Sequence, residues 1–569
     1  MRLFIATLVA CLLSFHFARA EFAFPVVGSL IELQPFAVSE VAFDANGRLI
    51  EFTNVNPNIN TTFFLSIDSQ SFHMELRYPQ QTELIMTNQG QEGVLLLNPT
   101  EIDGEPCTIR FAELEALSTE NSYTGLCNGL LAVRFTQSVN RSTSENVTTA
   151  LRNNRMGWFV EFAKNFVATD DAFTLGTAST GAGTGSAAGP LMAQVKPEHN
   201  GTSRPITRTS FQLSSDSLPV GGWVELSNAP GVYFSQIVPG DIANDVLNST
   251  HEGRPTNAIE RQDLGSAVNL VAFDLSQMIP SYHVGSEEPR LTWSSRPFRS
   301  YGGWNSIRNQ ISGPDGFSSP APFVRLGVEN PWHRPGADLV AHFTAGFLRE
   351  HGAFRWGNLV EKNHGSHYGM IENGVVLSRL MPGLATFIVY KDGHTEMKTW
   401  DEEAFDPSSP ESYEAYAHIQ FARQNGVPLV ETLNGQSVPG ELVHSASHGN
   451  WSGNANAELR SMRSALCLQE SQQGRFLIYA HFSSTVPSVM ARTLMGYHCQ
   501  YAIHLDMNSY NYTYAVVYGQ TSSGEDFTPG YLVTGSWGME DDSTGGTPRY
   551  LQNNVSRDRI RMIRRPRAQ

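Results

Sequence analysis

The stretch from Arg463 to Ser509 holds the densest set of residues able to do chemistry. It reads RSALCLQ, then RFLIYAHFSS, and closes on YAIHLDMNS. An apolar run there ends in a carboxylate, an amide and a hydroxyl, Asp506, Asn508 and Ser509. Arg463 opens another strand-like run, and an arginine can clamp a phosphate through two parallel hydrogen bonds. A carboxylate beside such a clamp can act as nucleophile or general base at an anomeric carbon. Asp, Asn and Ser are equally favoured in a plain strand-ending turn, so spacing alone leaves both readings open.

Two histidine groups come next. Glu361, His364, His367 and Tyr368 fall in EKNHGSHYG, and His444 and His448 in HSASH. Two histidines four apart on a helix can hold zinc. No H-E-x-x-H is present, and Ser445 and Gly449 weaken a helix there, so loop histidines are the simpler reading and no metal or cofactor is expected. There is no G-x-S-x-G elbow of a serine α/β-hydrolase. The Gly-rich run TLGTASTGAGTGSAAGP at 174–190 lacks the Gly-Lys-Ser/Thr of a phosphate loop. It reads as a linker.

These groups need elements to position them. Strand-like runs cover 221–226, 231–238, 268–275, 339–347, 371–377, 385–392 and 476–482, and 502–505 leads into Asp506. The 411–424 segment, with Pro410 before it and Gly426 after it, reads as a helix. So does 486–497, whose apolar positions include Val486, Val489, Met490 and Leu494. Strand, helix, strand implies a packed α/β unit with Asp506 at the carboxyl end of its second strand, where such sheets bind ligands. Nearer the N-terminus, Asn46-Gly47 marks a hairpin turn, 93–97 reads as a strand and 111–117 as a short helix. The block 156–168 fits a helix or a strand pair.

Composition narrows the class. The 569 residues carry 39 Lys+Arg against 55 Asp+Glu, a net charge of -16. That disfavours a general nucleic-acid binder. Met1–Ala20 has the basic start, short apolar run and small-x-small end of a secretory signal, too short to span a bilayer. Localisation is therefore expected to be secreted, periplasmic or extracellular, with no stable membrane insertion. Past the signal, Cys107, Cys127, Cys467 and Cys499 remain. Sequence proximity favours the disulfides Cys107–Cys127 and Cys467–Cys499.

The order of segments in the C-terminal half resembles the phosphodiester glycosidase family. VNLVAFDL at 268–275 resembles its early strand, HFTAGFL at 342–348 its Asn-Ala-Gly-Phe-Phe segment, and HYGMIENGVVL at 367–377 its glycine-bearing hairpin. QNGVPLVETLNG at 424–435 is similar to its Gly-Pro-Leu-Leu segment, and MRSALCL at 462–468 to its Arg-Thr-Ala-Ile-Gly strand. YAIHLDMNS at 501–509 resembles its Leu-Asp-Gly-Gly-Gly-Ser signature, and PRYLQNNVSRDRI its closing strand. Met507 and Asn508 stand where the family has three glycines, and Thr344 stands where it has asparagine. The likeness covers roughly 230–563.

The resemblance implies a secreted hydrolase of sugar-1-phosphodiester or related glycosidic bonds, acting on a carbohydrate or glycan-phosphate. Arg463 would hold the phosphate, Asp506 would work at the anomeric centre, and Ser509 and Asn508 would bind phosphate or sugar hydroxyls. Thr344, Gly346, His367 and Glu372 would line the pocket. The altered glycine signature motivates an alternative, a non-catalytic carbohydrate-binding or surface protein on the same fold. The expected architecture is α+β. A signal at 1–20 and a β-rich N-terminal domain at 21–173 precede a linker at 174–210. A catalytic-type domain at 211–556, with a large mixed sheet and packed helices, leads to a basic tail at 557–569.

Overall fold

Short runs of β-branched and aromatic residues, broken by turn dipeptides, dominate the chain, and they favour strands over helices. The computed structural model describes residues 34–135, 173–180, 189–285, 333–347, 369–400, 414–443, 460–534, 551 and 557–565, with short breaks inside several of these ranges. Among the described residues, strand makes up 52% and helix 10%, with four short α-helices. This overturns the expected α+β class with a large mixed sheet and packed helices. The strands form several sheets, and the pairings within them are antiparallel.

The main reason for the difference lies at 411–424. Ile419–Gln424 is a strand, paired with Ala385–Tyr390 on one side and Met370–Glu372 on the other. Gly426, at φ +70, turns the chain into the next strand, Pro428–Leu433. The glycine that reads as a helix stop is thus a turn between two strands, because the left-handed conformation serves both purposes. The helix at the other position does form, as Pro487–Gly496 with proline in its first turn. All ten of its residues are buried.

That helix connects Gly474–Thr485 to Tyr501–Met507. Both strands run antiparallel to Ser461–Ser471, which lies between them, so they are parallel to each other. The sheet around them has eight strands. In order they are Val224–Glu225, Val232–Ile237, Val268–Asp274, Gly474–Thr485, Ser461–Ser471, Tyr501–Met507, Pro428–Leu433 and Gln436–Pro439. A second sheet has five: Met278–His283, Arg559–Arg564, Leu339–Thr344, Ala515–Gln520 and Phe527–Tyr531. One core cluster joins the two sheets. Phe343 of the second sheet stacks on Phe273 and lies 4.7 Å from Tyr479, both of the first. The opposite face of the eight-stranded sheet packs on the buried helix through Ala465, Ile478, Ala480, Met490 and Leu494.

The N-terminal part is also strand-built. Val38–Phe43 and Leu49–Asn54 form the hairpin turned at Asn46-Gly47, and a short helix covers Phe111–Ala116. Its sheets enclose a core of their own. Gln34 joins it to the rest, exchanging two hydrogen bonds with the backbone of Val376. Within the Gly-rich run, Ser179–Thr180 pairs with Thr202–Ser203. The signal segment and the 156–168 block lie outside the described residues.

Both disulfides join the expected partners, Cys107–Cys127 and Cys467–Cys499. The second ties the strand Ser461–Ser471 to the end of the helix across a separation of 32 residues. A loop of that size contributes about 3–4 kcal/mol in the chain-entropy picture. The Cys467→Ala/Cys499→Ala variant is expected to lose stability of that order, read as a lower urea midpoint with an equal or steeper slope, since the uncrosslinked denatured chain is more open. An unchanged midpoint would remove the cross-link from the account.

Candidate functional site

The polar residues of the C-terminal half converge where the eight-stranded and five-stranded sheets meet, at the end of the strand Tyr501–Met507. Asp506 is 3% exposed. Its Oδ2 accepts from Arg557 Nη1 at 2.8 Å and its Oδ1 from the Met507 amide at 2.9 Å. Burial pushes its carboxyl up to about 6, and the Arg557 guanidinium works in the opposite direction. The Asp506 backbone donates to Ala345 O and accepts from Ser464 Oγ.

Arg557 stacks over Tyr512 at 4.1 Å. The neighbouring Asp558 accepts from Tyr282 Oη at 2.9 Å and from Arg423 Nε. Arg423 in turn donates to Gln424 O and Phe347 O. Arg559 is fully buried and donates to Asp558 O. Tyr479 faces this group from the eight-stranded sheet. Burial raises its phenol well above the usual range, Ser464 and Thr344 pull it back, and the charges of Arg559 and Asp506 reach it. Three arginines and two aspartates are thus held out of water together, and the Arg557–Asp506 and Arg423–Asp558 ion pairs offset part of that cost.

Arg463, expected to share a hollow with Asp506, goes elsewhere. It is fully buried, and burial pulls its guanidinium down to about 9. Its Nε donates to Thr485 O at 3.1 Å, and its Nη1 reaches His504 Nε2 at 3.0 Å and Met507 Sδ at 3.4 Å. The ion pair of Asp506 is with Arg557, not with Arg463.

The other expected residues divide. Asn508 sits at φ +80, a left-handed conformation that asparagine tolerates, and its Oδ1 accepts from Ser461 Oγ. Ser509 is half-buried, and its carbonyl anchors a turn by accepting from Tyr512 N and Thr513 N. Thr344 is buried beside Tyr514, whose amide donates to its Oγ1. Glu372 is buried, 3.4 Å from His283 Nδ1. His283 lies opposite Arg559 on the neighbouring strand. His367, His364, Glu361, His444 and His448 lie outside the described residues. Among the described residues, no three His, Cys, Asp or Glu side chains gather as a metal would need.

Gly346 has a steric role. A Cβ there would stand 2.7 Å from Arg423 Cζ and 2.8 Å from Asn425 Oδ1. Asn425 itself joins two segments, accepting from Phe347 N and donating to His504 O. Sequence reasoning missed Arg423, Asn425, Tyr479 and the Arg557–Arg559 triplet. A signal for the last was present: arginines at 557, 559 and 561 alternate with apolar Ile560 and Met562. Period two puts the two sets on opposite strand faces.

No family model matches the chain, and no curated protein matches it. Among solved structures, a hypothetical protein from Synechocystis aligns over 93% of this chain and 100% of its own, at 9% identity and a TM-score of 0.24. A protein of Burkholderia pseudomallei K96243, described as exported, aligns over 52% of this chain and 74% of its own, at 9% identity and a TM-score of 0.22. Likeness at this level bears on neither fold nor function.

Two outcomes follow from the geometry. Gly346→Ala pushes Arg423 off Asp558, and breaking a buried ion pair costs about 3–5 kcal/mol. Chemical denaturation reads that loss, and a loss under about 1 kcal/mol would mean that the arginine yields freely. Asp506 has a folded pKa raised above its unfolded value near 4. Its contribution to stability is therefore full below about pH 4 and is lost as pH rises through about 6. The melting-temperature difference between wild type and Asp506→Asn is expected to shift against wild type from pH 4 to pH 7, and a constant difference contradicts the raised carboxyl.

Proposed function

We propose that the chain is an exported hydrolase of sugar-1-phosphodiester or related glycosidic bonds, with Asp506 acting at the anomeric carbon. The observation that carries the reading is a buried carboxylate, raised to about 6, set at a strand end among Arg557, Arg559 and Tyr479. A phosphate monoester leaves as a stable anion, so the chemistry needs a carboxylate nucleophile or base and cations facing the departing charge. In this reading Arg557 and Arg559 take the anion-binding role that the family resemblance assigns to Arg463. Arg463 becomes a packing residue beneath Met507.

Asn508 supports the same reading. Its φ of +80 keeps the backbone course that a glycine would take in the family signature, with an amide side chain added. Two disulfides fit an oxidising compartment. Among the described residues, no helix is long and apolar enough to cross a membrane.

One observation favours the alternative, a carbohydrate-binding protein without turnover. The Met507 thioether lies on Arg463, where the family has glycine. Turnover of p-nitrophenyl sugar-1-phosphodiesters separates the two. The hydrolase reading expects release that falls as pH drops through about 6, since the carboxylate is the working form. It also expects Asp506→Asn to lower kcat by about 10²–10⁴-fold. Equal turnover in that variant removes Asp506 from the chemistry, and glycan binding with no release by wild type supports the binding protein.

A further inference from the structure

A polar row crosses four neighbouring strands of the eight-stranded sheet. Gln236 pairs with Asn269, Asn269 with His481, and His481 with Ser464. Residues directly opposite in antiparallel strands share a face, so all four lie on one side. Ser483, two positions beyond His481, lies on that side as well. Every one of the five is buried, Asn269, His481 and Ser464 completely.

Two members have partners. Gln236 donates to Asn269 Oδ1 and Thr207 O, and Ser464 donates to Asp506 O. The middle of the row is met only in part. Asn269 Nδ2 and Ser483 Oγ find no hydrogen-bond partner among the described residues, and the His481 ring meets none beyond its own backbone. Leaving a buried polar group unmet is costly, so several such atoms together call for something that meets them. Burial pulls His481 down to about 3. The ring is neutral, with one N–H and one lone pair to offer. Tyr510 lies parallel over that ring, with centroids 5.9 Å apart, and comes from the turn that follows Asp506.

These groups carry no charge, which makes them poor partners for a phosphate. They alternate donor and acceptor, as the vicinal hydroxyls of a pyranose do. We propose that Asn269, His481 and Ser483 form the glycosyl subsite of this protein, holding the hydroxyls of an uncharged sugar ring beside Asp506. The assignment of Asp506 as the neighbouring reactive group rests on the hydrolase reading, whereas the sugar site itself does not. Tyr510, stacked on the His481 ring, borders the subsite.

The test uses the full chain and titration calorimetry with free N-acetylglucosamine, glucose, galactose and mannose, alongside inorganic phosphate. The variants are Asn269→Leu and His481→Phe, which replace unmet polar groups by apolar ones of similar size. Wild type is expected to bind at least one of the sugars, and each variant to weaken that binding at least tenfold. Phosphate binding and melting temperature should hold or rise. Sugar binding lost in the variants with no turnover by wild type would keep the subsite and end the hydrolase reading. Sugar binding unchanged in both variants would overturn the subsite, and turnover by wild type in that case would leave the hydrolase reading standing. If no sugar binds and the variants melt earlier, the row holds buried water, and the subsite is likewise overturned.

Discussion

The closing strand is held by buried charge. Asp558 precedes Arg559–Arg564, and its carboxylate takes bonds from Arg423 and Tyr282 while its carbonyl takes one from the Ala345 amide. Beside it Arg557 holds Asp506. Each ion costs several kcal/mol to bring out of water, and only a nearly complete set of partners offsets that. Four segments distant in sequence must therefore arrive in register together. The requirement seats Arg559–Arg564 between Met278–His283 and Leu339–Thr344, in the interior of its sheet and not at an edge.

The same requirement explains why two arginines that look alike in sequence behave differently. Arg463 projects to the face that packs on the buried helix, and its partners there are a carbonyl, a neutral histidine and a thioether. Burial lowers its affinity for a proton. Arg557 meets a carboxylate at the junction of two sheets. Strand face, not residue type, separates a cation packed on the helix from one paired with a carboxylate.

The middle of the eight-stranded sheet shows a different economy. Most of its inner face is apolar, with Leu466, Leu477 and Tyr479 in the shared core. Toward the Asp506 end the face turns polar across four strands. Core packing gains nothing from that change, since apolar residues of similar volume would fill the space without unmet hydrogen bonds. The proposed sugar subsite rests on that polar row beside Asp506.

Much was legible from sequence alone. Turn dipeptides set the hairpins, the apolar spacing of Val486, Val489, Met490 and Leu494 set the buried helix, and cysteine proximity set both disulfides, because each depends on a few adjacent residues. The strand leading into Asp506 was legible for the same reason. The 419–424 segment was misread because Pro410 and Gly426 punctuate a helix and a strand turn alike, and only pairing with two neighbouring strands decides between them. Arg463 and Asp506 are 43 residues apart, and chain spacing says nothing of which face each takes once a bulged register intervenes. The partners Arg557, Asp558 and Arg423 were decided by tertiary structure alone, since a buried charge is satisfied by whatever the fold brings beside it.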